Sequence, residues 1–298
     1  YEMKTVRITN LHRSLKPADI KHNLATLKNV LTATAEAKRI IREFKPDVAV
    51  GTGGYVCYPV LKAASELGVP TAVHESNAVP GLTTKMLEGS VDTIMVGFEE
   101  SRANYRHPDR VEVTGTPVRV DFLNPDKAAA KRELGIPEGR PLVVSVWGSL
   151  GAAHMNEIMT DFIVRACAKP FFNLIHSAGK AGYSCMSAAL EREKPDYARL
   201  GMDVRDYIYD MPRVMAAADL VLCRAGASTL AELTAMGKPA ILVPSPNVTN
   251  NHQERNARVL EAAGGARVML EQDFTADSLL GLVSELLQHP EQLDEMSK

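Results

Sequence analysis

The sequence predicts an α/β protein of two doubly wound parallel-sheet domains. Three observations carry that prediction. Short β-branched runs alternate with amphipathic helical stretches along nearly the whole chain, the pattern of βαβ units. The rhythm breaks once, over Val111–Arg140, where Pro117, Pro125 and Pro137 surround a charged helix at Lys127–Leu134. A length of 298 residues is about two domains at roughly 100–200 residues each. The expected division is a first domain over 1–117, a linker over 118–140 and a second domain over 141–298.

Val6–Thr9 reads as a strand, and His22–Phe44 as a long helix with Leu24, Leu27 and Leu31, then Ile41 and Phe44, at helical spacing. Asp47–Val50 is a strand that ends on Gly51-Thr52-Gly53-Gly54. Tyr58–Leu67 is a helix; Thr71–Val73 is a strand, followed by the polar loop His74–Gly81 and a short helix. Thr93–Val96 and Val111–Val113 complete the first set of strands. In the second half the strands are Val143–Val146, Phe172–Ile175, Leu220–Leu222, Ala240–Val243 and Ala266–Met269. Ala152–Ala168, Thr229–Met236, Asn251–Ala263 and Ala276–Leu287 are the helices among them.

Composition excludes several classes. With 45% hydrophobic and 23% charged residues, the chain is neither disordered, collagen-like nor a coiled coil. Its four cysteines are scattered without a C-x-x-C, which argues against a disulfide framework and a structural zinc site. A net charge of -2, from 34 basic and 36 acidic side chains, argues against nucleic acid as a partner. No apolar run is long enough to span a bilayer, and there is no signal peptide. The chain opens on Tyr1 and stops at Lys298 inside a helical pattern, as though cut at both ends.

Ligands of doubly wound sheets bind at the carboxyl ends of the strands. The richest such place is Leu222–Glu232 (LCRAGASTLAE), where a strand ends, small residues turn the chain and a helix opens. Gly226 and Ala227 let a diphosphate approach the backbone, and the helix start supplies free N–H groups. Glu232, one turn beyond Ser228 and Thr229, is placed to accept hydrogen bonds from the vicinal hydroxyls of a ribose. The same residues also spell a capping box, Thr229-x-x-Glu232, which needs no ligand.

Trp147-Gly148-Ser149-Leu150-Gly151-Ala152 repeats the arrangement, but the acidic residue that a dinucleotide site would need at the end of the next strand is absent, that strand being followed by His176-Ser177. Gly51–Tyr55 is a third glycine turn, and His74-Glu75-Ser76-Asn77 is a polar cluster at a strand end, readable as a site or as a loop network. Arg119 sits at the domain joint, within reach of a phosphate or solvated. Asn250-Asn251-His252-Gln253-x-x-Asn256 offers amides for sugar hydroxyls or simple N-capping. There is no G-x-S-x-G, no Walker loop, no H-E-x-x-H and no D-x-D pair to hold a metal on a nucleotide diphosphate. Helix ends and backbone donors must therefore stabilise a leaving diphosphate.

Seven segments, in order, resemble the bacterial MurG family: 47–59 (DVAVGTGGYVCYP), 74–85 (HESNAVPGLTTK), 114–119 (TGTPVR), 148–152 (GSLGA), 219–232 (DLVLCRAGASTLAE), 237–244 (GKPAILVP) and 252–257 (HQERNA). That family adds N-acetylglucosamine from UDP-GlcNAc to the undecaprenyl-linked muramyl-peptide of peptidoglycan. The resemblance implies a GT-B fold, two Rossmann-like domains facing across a cleft, and no cofactor or metal. It implies a donor site of Asn77, Arg119, Ser149, Ile208, Ala227, Ser228, Thr229, Leu230, Ala231, Glu232 and Gln253. Glu232 would take the ribose, the Ser228–Thr229 helix start the diphosphate, and the main chain of Ile208 the uracil edge.

Gly53, Gly54, Tyr55, His74 and Glu75 would line the acceptor side. A lipid acceptor implies contact with the cytoplasmic membrane surface, for which His22–Phe44, with Lys28, Lys38, Arg39 and Arg42, is a basic amphipathic candidate or an ordinary core-facing helix. The family's first glycine loop, GGTGGH, with its candidate base, has no counterpart here, so the catalytic base is unassigned and the front of the first domain is incomplete by about two βαβ units of ~30 residues. Trp147 replaces a common glycine and Ser76 a common glutamine. Another GT-B glycolipid transferase, or a donor-binding fragment without turnover, are the competing readings.

Overall fold

In the computed structural model, which describes residues 2–8, 17–123, 126–148 and 153–298 (side chains of 17–28 excepted), the chain divides into two compact units, Tyr1–Thr116 and Pro117–Lys298. The first holds a sheet of four strands, β1 (Ala49–Gly51), β2 (Thr71–Glu75), β3 (Thr93–Val96) and β4 (Val111–Val113). They lie in chain order and every pair is parallel. Helices α1 (Pro17–Phe44), α2 (Cys57–Glu66) and α3 (Leu82–Leu87) complete it. Val73, Ile94, Val96 and Val111 from the sheet meet Leu61 of α2 and Leu87 of α3 in one core.

Two expectations need correction here. Residues 6–8 form no strand; Val6 packs instead against Ala37, Ile41, Ala63 and Ala64, and Thr9 lies outside the described residues. The buried stripe of α1 is Ala33, Ala37 and Ile41, four residues apart, while Leu31 is 70% exposed. The side chains of Leu24, Leu27 and Lys28 lie outside the described residues. Lys38 is paired with Glu66 of α2 at 2.7 Å. No described helix is long and apolar enough to cross a membrane.

The second unit is a six-stranded sheet: β5 (Leu142–Val146), β6 (Asn173–Ser177), β7 (Met202–Arg205), β8 (Leu220–Cys223), β9 (Ala240–Leu242) and β10 (Ala266–Val268). Its spatial order is β7-β6-β5-β8-β9-β10, parallel throughout, so the chain reverses direction across the sheet between β5 and β8. Eight helices accompany it: α4 (Lys127–Glu133), α5 (Ala153–Ala166), α6 (Tyr183–Glu193), α7 (Met211–Ala217), α8 (Ala227–Ala235), α9 (His252–Ala262), α10 (Ala276–Gln288) and α11 (Pro290–Met296). The central strands β8 and β9 are apolar on both faces, as a helix-covered parallel sheet requires, and in β5 Leu142, Val143 and Val144 have no exposure.

Segment 118–140, expected as a linker, lies within this unit. Its helix α4 is capped by Asp126, and Lys127 and Lys131, one turn apart, both reach the carboxylate of Asp219 (2.7 and 2.5 Å). That carboxylate also accepts from the N–H of Leu142 at 2.7 Å, so one acid ties α4 to the starts of β5 and β8. The charged face of α4 is therefore a packing face.

Tight backbone approach fixes the carboxyl ends of the first sheet. A Cβ on Gly97, just past β3, would stand 2.6 Å from Thr116 Oγ1 and 2.9 Å from the carbonyl oxygen of Ser76. Gly97→Ala is expected to cost about 1–3 kcal/mol through overpacking, measured by urea unfolding, and to displace the loop after β2.

Candidate functional site

A cavity of about 440 Å³ opens at the switch point of the second sheet. Gly148 after β5, Ser177 at the end of β6, Gly226 after β8 and Ser245 after β9 all line it. Ile208 and Tyr207 come from the β7–α7 connection, Met211 and Met215 from α7, Thr229 and Glu232 from α8, and Gln253 from α9. These are the loops at which an open parallel sheet binds its ligand.

The start of α8 decides between the two readings of Thr229-x-x-Glu232. The helix begins at Ala227, after Gly226 in an extended conformation, so Thr229 already lies inside the first turn and no capping box forms. No side chain caps this end, and no acidic residue stands in its first turn. The first internal bond runs from the N–H of Leu230 to the carbonyl of Gly226, leaving the three preceding N–H groups without helix partners. Uncapped donors and the positive end of the helix dipole make an anion site. Leu230 itself is buried with its N–H committed, and Ala231 is past the open turn, so neither offers a free donor.

Glu232 is half-buried and makes no hydrogen bond or ion pair with any described residue. Burial raises its carboxyl above the usual carboxylate range, and the nearby charge of Arg119 partly opposes the rise. Arg119 belongs to the same unit, its guanidinium 5.1 Å above the ring of Phe122. Behind the turn, burial and the charge of Glu232 push the Cys223 thiol up to about 12, so it stays protonated.

Gln253 has a defined amide orientation. Its Oε1 accepts from the N–H of Ser245 at 2.9 Å, which leaves the Nε2 donors for the cavity. Asn256 is fully buried and donates from Nδ2 to the carbonyl of Ala225, anchoring the turn from beneath. Asn251, the residue before α9, does not cap it through its side chain: both Asn250 and Asn251 adopt left-handed conformations, and Asn251 Nδ2 donates to Glu254 at 2.5 Å. Ser149 lies outside the described residues.

In the first unit, Gly53 and Gly54 take positive φ of 85° and 77° and turn the chain from β1 toward α2. Tyr55 is half-exposed beside them, and α2 opens without a side-chain cap. His74 is buried and donates from Nε2 to the carbonyl of Gly115 at 2.8 Å. Glu75 is buried and accepts four bonds: from the N–H and Nδ2 of Asn77 (both 3.1 Å), the N–H of Gly81 (2.8 Å) and Thr84 Oγ1 (2.9 Å). Both His74 and Glu75 thus hold the 74–84 loop from within. Among the described residues no group of three or more His, Cys, Asp or Glu could hold a metal ion.

Comparison with known proteins settles the family. The model of the glycosyltransferase family 28 C-terminal domain matches residues 142–298, and that of the N-terminal domain matches residues 1–96. The chain belongs to glycosyltransferase family 28, in its MurG branch. It is 41% identical over 299 aligned residues to the UDP-N-acetylglucosamine–N-acetylmuramyl-(pentapeptide) pyrophosphoryl-undecaprenol N-acetylglucosamine transferase of Acetivibrio thermocellus, covering 100% of this chain and 79% of that one. The transferase of the same description from Ruminiclostridium cellulolyticum is 40% identical, with 100% and 80% covered. The crystal structure of Acinetobacter baumannii MurG superposes with a TM-score of 0.72 at 28% identity, over 91% of this chain and 73% of that one. The two parallel-sheet α/β domains are those of the GT-B fold.

In this family 28 chain the α8 turn, Glu232, Ile208 and Gln253, all expected from the sequence, come together at one cavity; Tyr207, Met211 and Met215, which were not expected, also line it. A signal was present: Pro212 at the start of α7 marks a helix opening just after Ile208. The Glu75 network generates a prediction of its own. Glu75→Ala should strand four donors and destabilise the chain by about 2–3 kcal/mol in denaturant unfolding, with hydrogen exchange rising first over 76–84.

Proposed function

We propose that this chain transfers N-acetylglucosamine, with inversion, from UDP-GlcNAc to the 4-hydroxyl of the undecaprenyl-diphospho-muramyl-peptide in peptidoglycan synthesis. The observation that carries the reading is the uncapped start of α8 with an unpaired Glu232 one turn further along, both lining a cavity at the sheet's switch point. The N–H groups of Ala227, Ser228 and Thr229 take the donor diphosphate. Glu232 accepts from the ribose hydroxyls, and the backbone of Ile208 meets the uracil edge above Met211 and Met215. Gln253 donates from Nε2 to a donor-sugar or phosphate oxygen. Arg119 adds positive charge beside Glu232; for Ser149 a donor contact rests on the family resemblance alone.

The acceptor hydroxyl gives its proton to a base not assigned among the described residues, and its oxygen bonds to the anomeric carbon as the bond from that carbon to the UDP oxygen breaks, in one step through an oxocarbenium-like transition state. Negative charge grows on the departing diphosphate as the glycosidic bond forms. The open end of α8 is preorganised for that charge, which is where electrostatic stabilisation accelerates a reaction. On the acceptor side, Gly53, Gly54 and Tyr55 with the open end of α2 take the lipid diphosphate. His74 and Glu75 act by fixing the loop that carries Asn77. Contact with the cytoplasmic face of the membrane follows from a lipid acceptor. Exposed Arg39 and Arg42 on α1 give it a basic character, so vesicle binding should rise with anionic lipid content and fall with salt; binding indifferent to both would remove this part of the reading.

Two measurements test the donor site. Glu232→Gln should weaken UDP-GlcNAc binding about 10–100-fold by calorimetry, the loss of bonds to a charged acceptor. In the unaltered chain, affinity should fall as pH drops through the Glu232 pKa, which burial raises above 4.5, because the protonated acid no longer accepts two bonds. Glu232→Gln should flatten that pH profile. Transfer of labelled sugar from UDP-GlcNAc to the lipid acceptor tests the reaction itself.

A further inference from the structure

Arg224 lines the donor cavity two residues before Gly226, where a cation would ordinarily be assigned to the diphosphate. Its bonds point elsewhere. Nη1 donates to the carbonyls of Val243 (3.1 Å) and Pro244 (3.3 Å) and to Glu271 Oε2 (2.5 Å). The two charged side chains are only 15% and 20% exposed. The guanidinium lies 6.0 Å from the indole of Trp147, the single tryptophan of the chain, which is 3% exposed and meets Phe274 edge-on at 5.5 Å.

We infer that Arg224, Glu271 and Trp147 form an internally neutral brace that positions the diphosphate turn, and that Arg224 is not itself a diphosphate ligand. Three of the chain segments that reach the cavity are pinned one or two residues away from their contact points. Trp147 precedes Gly148, whose φ is 96°; Arg224 precedes the Gly226 turn; and Pro244 precedes Ser245, whose N–H orients Gln253. One guanidinium therefore ties the ends of β5, β8 and β9 to the turn after β10, its Nη1 reaching three oxygens while the group lies over the Trp147 ring. A lysine would lack the planar group that lies over Trp147 and would reach one atom less far toward the three oxygens. The inference rests on the reading that the cavity takes the UDP group.

Glu271→Gln separates the two roles by the sign of its effect. If Arg224 bound the diphosphate and Glu271 merely restrained it, removing the carboxylate would free the cation and tighten UDP-GlcNAc binding. The brace requires the opposite: binding weaker by about tenfold in calorimetry, as for an indirectly lost charge-assisted bond. Arg224→Lys keeps the charge but loses the planar contact with Trp147 and the reach to Glu271, so it should weaken binding to a similar degree. The double variant should be no weaker than either single one, since both break the same unit.

Trp147 fluorescence supplies a readout that a general loss of stability would not move: its emission maximum should shift in both folded variants before any ligand is added. Unchanged or tighter binding by folded Glu271→Gln overturns the brace. Should that variant fail to fold, wild-type affinity in Arg224→Lys overturns it equally. If the unaltered chain itself binds no UDP-GlcNAc, the donor reading falls first and the brace falls with it.

Discussion

The second unit depends on one open helix end. A helix start in a folded protein normally hides its first N–H groups behind a Ser, Thr, Asp or Asn cap. At α8 the cap position is Gly226, extended and without a side chain, and the first turn contains no acid to complement the dipole. α10 shows the alternative in the same unit: Thr275 accepts from the N–H of Ser278 while Ser278 answers the N–H of Thr275, a closed capping box. Side-chain caps are also missing at α6, α7, α9 and α11, so what singles out α8 is its place: β8 delivers its start to the switch point, where it lines the cavity. The resulting cost in stability is a preorganised field for an anion.

Buried carboxylates sort themselves by the same accounting. Glu75 takes four neutral donors, Glu88 takes the N–H groups of Arg106 and His107, and Asp219 takes two lysines and a backbone N–H. Each is saturated from within, and each fixes a loop or a helix. The two lysines and the Leu142 N–H hold the Asp219 carboxyl below its usual range even though burial opposes them. Glu232 is alone among these in being partly buried without a donor, and its carboxyl is raised accordingly. A carboxylate kept desolvated and unbonded gains more from a pair of incoming hydroxyls than a hydrated one does.

Much of this arrangement was legible in the sequence, and the failures have physical causes. The alternation of apolar strands with helices marked β5, β6, β8 and β9, because central parallel strands are buried on both faces; β10, an edge strand, was also marked, by its apolar run. β7 escaped because an edge strand need bury only alternate residues: Met202 and Val204 are buried while Asp203 and Arg205 pair with each other in water. Helix α4 looked like a solvated linker because lysines one turn apart read as surface until an aspartate 88 residues later in the chain is brought to them. Thr229-x-x-Glu232 spelled a cap correctly in composition and falsely in register; the extended backbone of Gly226 starts the helix two residues before that motif. Glu75 and His74 were recognisable as a polar cluster, but whether a cluster faces outward or inward depends on partners, here Gly81, Thr84 and Gly115, that sequence spacing does not reveal.

The placement of Glu232 also explains why this sheet, with the strand order of a dinucleotide-binding domain, needs no acid at the end of β6. In such domains the ribose is met by a carboxylate there, on a different element from the helix that meets the phosphates. Here β6 ends in His176, fully buried and held neutral with a pKa of about 3, and Ser177, which lines the cavity. In the proposed donor site the carboxylate comes instead from α8, five residues beyond Ala227. At 1.5 Å per residue, that sets the anion-attracting end and the hydroxyl-accepting group about 7.5 Å apart on one rigid rod. A nucleoside diphosphate carries its ribose hydroxyls and its phosphates at a comparable remove. A single helix can thus address both without any loop having to close, and the brace behind Gly226 then has only one body to hold in place.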